Sequence, residues 1–339
     1  MAASSVPKPD SPPRWFRITN RLAAIAVLLA LPGATYQTFS ERTDMRRYPT
    51  PGNFVDINGL YDLHIYCSGS GSPAVILDSG LGDTYVVWRK VQPRMAQFAR
   101  VCSYDRAGLG FSCCRRRPPT SRNNAEDLHT LLHNAGVAPP YVLVGHSMGG
   151  FDVRIFAGLY RSEVAGMVLV DSSHPEQIKR FPPAVNDLDA SWIREQEFLA
   201  VIMPFGIPRL LGFCGGDAQI RAAECNFHTE WTGVDEMKLT PVSAAQTAAT
   251  GSLGDLPLAV LSQDPDSPHP DLPEDLVKPT VDAWSKMQDE LAQLSTRSTH
   301  VIAKNSGHYI QLDRPDLVVE AVHQIMQQAR QTSETEKAP

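Results

Sequence analysis

The sequence predicts an α/β fold with a mostly parallel sheet and helices on both faces. Three observations carry that prediction. From Phe54 onward, short apolar runs alternate with helix-like stretches, the rhythm of strand–helix–strand units. The runs AVILD, YVLVG and GMVLVD are apolar without alternation, as strands covered on both faces are. Hydrophobic residues make up 42% of the 339, enough to bury a substantial core. The charge balance, 31 Lys+Arg against 37 Asp+Glu, argues against a nucleic-acid partner, which selects a basic face. No fixed-period repeat is present, which argues against solenoids and propellers.

Taken in order, residues 1–13 are rich in Ser, Pro and Ala and are expected to be disordered. Arg14, Arg17 and Arg21 then precede an apolar run, LAAIAVLLAL, with no further charge before Glu41. A basic segment followed by an apolar one is the layout of a signal peptide or signal anchor, here assigned to residues 14–40. The apolar part is short against the ~20 residues of a full span. Trp15 and Phe16 on one side, with Tyr36 and Phe39 on the other, would mark the two interfaces. The positive-inside rule then leaves the rest of the chain membrane-anchored on the extracytoplasmic side, or secreted after cleavage.

FVDINGLYDLHIYCSG reads as a hairpin turning at Asn58-Gly59. AVILD is the next strand, followed by a helix over about 88–98. RVCSYD is a strand, residues 127–134 lie in a helix, and YVLVG is a strand. A helix over 148–159 leads to the strand GMVLVD. The rhythm then breaks until LPLAVLS, a helix spanning 284–294, the strand THVIA and a last helix opening at Pro315, a residue suited to a first helical turn. The tail over 333–339 is polar and expected to be loose. Residues 50–173 and 256–332 thus form the core. The insertion 174–255 carries amphipathic pieces such as WIREQEFLAVIMPFGIPRLLGF. It falls at the carboxyl ends of the strands, where ligands bind in open α/β sheets, and reads as a lid.

Six cysteines are too few for a disulfide scaffold. Cys67 and Cys102 lie in strands, Cys214 and Cys225 in a loop-rich stretch, and Cys113 and Cys114 are adjacent. Bridges Cys67–Cys102 and Cys214–Cys225 are permitted, and burial of the thiols as small hydrophobes is the alternative.

Strand YVLVG runs into His146-Ser147-Met148-Gly149. Gly145-x-Ser147-x-Gly149 between a strand and a helix forces a sharp turn whose flanking positions must be small. The Ser147 hydroxyl then stands at a helix N-terminus, where negative charge is favoured. A hydroxyl nucleophile needs a base. His308 follows the last strand on the same sheet edge, and His174, after GMVLVD, is its rival. His64 sits within a strand, His146 inside the turn, and His129, His133 and His323 on helices. The base needs a carboxylate, for which Asp171, Asp264 and Asp266 all qualify by position. An oxyanion needs two donors. Met148 N–H, next to the nucleophile, and Leu81 N–H, in the loop Ser79-Gly80-Leu81-Gly82, are the expected pair.

Together GHSMGG (145–150), SGLG (79–82), SYDRAGLGFS (103–112) and SGHYIQLDRP (306–315) make the chain resemble the α/β-hydrolase superfamily from about Phe54 to Gln327. The resemblance implies a mostly parallel eight-stranded sheet, a helical cap between strands 6 and 7, and a Ser-Asp-His triad. It also implies that strands 2 and 4 are neighbours, which strengthens the Cys67–Cys102 pairing. Two departures stand out. Ser79-Gly80 replaces the usual His-Gly, and Gln263-Asp264-Pro265-Asp266 replaces Gly-x-x-Asp after the seventh strand. The gapless match favours Asp266 and leaves Asp171 open. Serine at 147 argues against the dehalogenase and epoxide-hydrolase branches, which need a carboxylate there.

The expectation is therefore a serine hydrolase of the esterase or lipase type, cleaving a small to medium hydrophobic ester through an acyl-enzyme. Thioester, lactone or C–C bond hydrolysis would use the same residues. A receptor that binds ligand without turnover, or a membrane-tethered partner-binding domain, are readings from other classes. No HExxH, GxGxxG or P-loop pattern occurs, so no metal and no cofactor are expected. Oligomeric state is left open.

Overall fold

The computed structural model describes residues 14–112 and 114–337. Its eight strands are β1 Asn53–Ile57, β2 Tyr61–Ser68, β3 Ala74–Asp78, β4 Val101–Tyr104, β5 Tyr141–His146, β6 Val164–Val170, β7 Leu258–Gln263 and β8 Ser298–Ala303. They form one sheet in the order β1-β2-β4-β3-β5-β6-β7-β8. Only β2 breaks the parallel arrangement, running antiparallel to β1 and β4. The hairpin turns on Asn58 and Gly59, both at positive φ, and the Asp56 carboxylate accepts the Gly59 N–H.

The central strands are buried on both faces, and the period of two sorts their side chains. Leu143 of β5 joins one core cluster, with Leu128, Leu131 and Phe156. Its neighbours Val142 and Val144 join the opposite cluster, with Trp88, Val318 and Val322. Each such side chain contributes ~1.5–3 kcal/mol on burial, which fixes the register of the strands that carry the loops described below.

Several elements differ from expectation. The helix expected over 88–98 is instead a single 3-10 turn, Tyr85–Trp88, and a short helix, Gln92–Met95. Pro93 can start a helix but cannot continue one. The helix expected around 127–134 begins earlier, at Ser121, where the Thr120 hydroxyl accepts the Asn123 N–H. The final helix, Pro315–Lys337, runs well into the tail expected to be loose. Residues 1–13, expected to be disordered, lie outside the described residues, as does Cys113.

The stretch expected as a signal anchor is the front of one long helix, Arg14–Arg47. Among the described residues, no helix is long and apolar enough to cross a membrane. The apolar run is ten residues, and polar and charged side chains follow it on the same helix. Two of these are buried against the insertion: Gln37 Nε2 donates to the Cys225 carbonyl (3.1 Å), and Asp44 accepts from Arg209 (2.6 Å). The back half of the helix thus packs on protein. Neither the anchor nor the extracytoplasmic placement that rested on it gains support from the structure.

Between β6 and β7 the chain is helical, with long helices Pro183–Ile202 and Phe227–Ala248. Asn226 caps the second by accepting the Thr229 N–H. Cys67 pairs with Cys102 across β2 and β4, and Cys214 with Cys225 within the insertion.

Candidate active site

Strand β5 ends at His146 and the helix Gly149–Leu159 follows almost at once. Ser147 between them sits at φ +50°, a left-handed conformation that non-glycine residues rarely hold without support. The support is local: Ser147 N–H donates to the Val170 carbonyl (3.1 Å), and its own carbonyl accepts from Ser173 N–H (2.9 Å). The glycines are required sterically. A Cβ on Gly145 would stand 2.6 Å from the Gly149 carbonyl oxygen, one on Gly149 2.5 Å from the Asp78 and Ser79 oxygens, and one on Gly150 1.9 Å from Ser172 Oγ.

His308 lies in the loop after β8. Its Nδ1 is 2.6 Å from Asp171 Oδ2, and Asp171 Oδ1 accepts the Gln263 N–H (2.9 Å) and the Trp284 Nε1–H (3.0 Å). Asp171 is fully buried at the end of β6, at φ +41°. Both oxygens of the carboxylate are thus engaged, and the two donors on Oδ1 hold and orient it toward His308. Burial opposes protonation of His308, but the hydrogen bond and charge of Asp171, with help from Asp83, outweigh it and raise the imidazole above its ordinary pKa. His146 holds this loop beside the Ser147 turn. Its Nε2–H donates to the His308 carbonyl (3.2 Å), and the two rings lie 4.7 Å apart.

The other sequence candidates are elsewhere. Asp264 accepts from Asn305 N–H and Lys304 Nζ, which hold its carboxyl down at about 2. Asp266 is exposed near Lys304. Neither bonds to His308. His174 is engaged elsewhere: its Nδ1 accepts the Glu176 N–H and its Nε2 lies 3.5 Å from Glu290. His64 is buried against Asp105, His129 pairs with Glu163, and His323 packs on Phe98.

Met148 is the N-cap residue of its helix, so its amide has no intrahelical acceptor. Leu81, Met148 and Ser147 together floor a cleft of about 350 Å³ roofed by the insertion, a size suited to a small or medium ligand. Ile178, Trp192, Ile193, Met237 and Pro241 supply its apolar wall. Sequence reasoning missed Trp284 and Gln263, which hold Asp171, and Arg106, which holds the Leu81 loop. Only the DRAG motif around Arg106 was visible as a pattern. Among the described residues, His174, Glu176 and Glu290 are near enough to share a metal ion. Arg180, though, already bonds both carboxylates.

The comparisons with known proteins bear on the fold and the family. The chain is 26% identical over 257 residues to the uncharacterized protein YqjL of Bacillus subtilis, covering 76% of this chain and 85% of that one. It is 29% identical over 253 residues to the uncharacterized protein C23C11.06c of Schizosaccharomyces pombe, but spans only 43% of its length. Among solved structures, a thermophilic esterase from Thermogutta terrifontis superposes with a TM-score of 0.58 at 22% identity, over 82% of this chain and 98% of that one. A putative acyltransferase from Salmonella enterica gives 0.63 at 18% identity, over 83% and 97%. These likenesses show the shared fold. The model of the alpha/beta hydrolase family matches residues 75–321, and with that the chain belongs to the alpha/beta hydrolase family.

Proposed function

We propose that the protein is a serine hydrolase that cleaves a carboxylic ester, or a related acyl bond, of a small to medium hydrophobic molecule through an acyl-enzyme. The observation that carries this reading is the Asp171–His308 pair, tied through His146 to the turn that carries the strained Ser147, which itself lines the cleft. Ser147 Oγ attacks the ester carbonyl and its proton passes to His308 Nε2. Asp171 keeps the ring in the tautomer that leaves Nε2 free and stabilises the imidazolium. The amides of Leu81 and Met148 donate to the oxyanion. On collapse the ester C–O bond breaks, and His308 returns the proton to the departing alkoxide. Water then repeats the sequence on the acyl-enzyme, releasing the acid and free Ser147.

The mainly apolar wall of the cleft supports a hydrophobic acyl or alkyl group. A fluorophosphonate probe tests the assignment. Wild type is expected to label stoichiometrically and to hydrolyse p-nitrophenyl esters. Ser147→Ala is expected to lose labelling and at least ~10⁴-fold in kcat. Wild-type protein that binds an ester without labelling or turnover would overturn the proposal.

A further inference from the structure

A buried group of charges lies under the loop 79–82, outside the triad. Arg106 is 3% exposed and its guanidinium makes five hydrogen bonds. Two go to Glu236, of the insertion helix Phe227–Ala248: Nε to Oε1 (2.8 Å) and Nη2 to Oε2 (3.0 Å). One goes from Nη1 to Asp78 Oδ1 (3.0 Å) at the end of β3. The other two reach backbone carbonyls, Nη1 to Ser79 (2.7 Å) and Nη2 to Gly80 (2.6 Å). Glu236 Oε2 also accepts the Gly82 N–H (2.8 Å). The loop is therefore gripped at Ser79, Gly80 and Gly82, on both sides of Leu81.

The bond to Gly80 has a specific consequence. The Gly80 carbonyl and the Leu81 N–H belong to one peptide group. A trans peptide is planar, with C=O and N–H pointing in opposite directions. Fixing the oxygen against Arg106 therefore fixes the direction of the N–H, and a cationic donor on the oxygen polarises the amide into a stronger donor. Glu236 in turn holds Arg106, and the next residues on its helix, Met237 and Lys238, line the cleft. One buried fork thus links the Met237–Lys238 wall of the cleft to the peptide group of Leu81, which also lines it.

We propose that Arg106 and Glu236 are positioning residues that aim the Leu81 amide at the developing oxyanion and couple that aim to the seating of the insertion helix on its substrate. This rests on the ester-hydrolase reading above. Substrates that fill the cleft beside Met237 then raise kcat as well as lowering KM.

The experiment compares wild type, Glu236→Gln and Arg106→Lys on p-nitrophenyl esters of increasing acyl length. It also compares inhibition by two ligands: a trifluoromethyl ketone, to whose carbonyl Ser147 Oγ adds while His308 takes the proton, and the isosteric secondary alcohol. Fluorophosphonate titration counts the competent sites. Per titrated site, kcat is expected to fall ~10-fold in Glu236→Gln and ~10²-fold in Arg106→Lys, as loss of an oxyanion donor does, with KM within threefold. Ketone affinity should fall in parallel with kcat and alcohol affinity should not, and the dependence of kcat on acyl length should flatten. A merely structural role would lower the titrated fraction, or weaken both ligands equally, and either result overturns the proposal. If Arg106→Lys does not fold, Glu236→Gln, which removes a charge without changing shape, decides alone. If wild type itself neither labels nor turns over, it is the hydrolase reading that fails. The clamp is then decided by hydrogen exchange in Glu236→Gln: joint acceleration at the Leu81–Gly82 amides and in Phe227–Ala248 supports it, and acceleration in the helix alone refutes it.

Discussion

The sheet rim and the insertion that roofs it are built on different physics. The rim is buried and backbone-determined. β5 and β6 are almost wholly buried, and Ser147 and Asp171 are held in left-handed conformations by bonds to neighbouring strands. The insertion exposes large apolar side chains, Trp192 at 49%, Phe198 at 62% and Phe213 at 62%. It is fastened by charges and a bridge: Arg106–Glu236, Arg115–Asp235, Lys238–Glu197 and Cys214–Cys225. The lesson is a division of labour. The rim provides geometry that tolerates little change, and the insertion provides a wall held in place by these fastenings.

The predictions probe that division, starting where the effect is largest. Asp171→Asn leaves a hydrogen-bonding side chain but a wrong tautomer at His308, and kcat is expected to fall ~10⁴-fold. A fall below tenfold would remove Asp171 from the proposed triad. Gly150→Ala forces a Cβ onto Ser172 Oγ and should cost ~1–3 kcal/mol of stability, read by urea denaturation. An unchanged midpoint would show that the rim yields where rigidity is claimed. Replacing Cys214 and Cys225 by serine opens a short loop of sequence separation 11, worth ~2–3 kcal/mol. Hydrogen exchange should rise in the insertion and not in β5 or β6, and an equal rise in both would erase the contrast. Trp192→Ala should raise KM several-fold at nearly constant kcat, since its helix does not carry Glu236. A loss confined to kcat would contradict its place in the wall.

The pH profile sharpens the same point. The base must be neutral to accept the Ser147 proton. Because Asp171 raises the His308 pKa, kcat/KM should fall with acid along a limb lying above the ordinary histidine value of ~6.5. In Asp171→Asn the limb should move down. A wild-type limb at or below the ordinary value would mean that His308 is not the titrating base.

Much of this was readable along the chain, because it depends on neighbours in sequence. Continuous apolar runs announced β3, β5 and β6, Asn58-Gly59 announced the hairpin, and GHSMGG announced a turn whose glycines prove sterically necessary. The choice among Asp171, Asp264 and Asp266 was not readable, since all three follow strands on the same edge. It turns on which carboxylate meets His308 Nδ1 after folding, and Lys304 and Asn305 occupy Asp264. The role of residues 14–40 was not readable for a related reason, and no described helix is long and apolar enough to cross a membrane. The buried Gln37 and Asp44, which follow the apolar run, reveal their partners only once the insertion has folded.

What the sequence determined by itself was the alternation of strand and helix, the sharp serine turn and the rim on which it opens, because backbone period and steric allowance act over a few residues. What only the tertiary structure decided was which acid orients the imidazole, that Arg106 grips the loop carbonyls, and that the first helix packs on the insertion. Those outcomes join groups up to about 190 residues apart. Their energy depends on shared burial and on which charge finds which partner, and no local pattern encodes that.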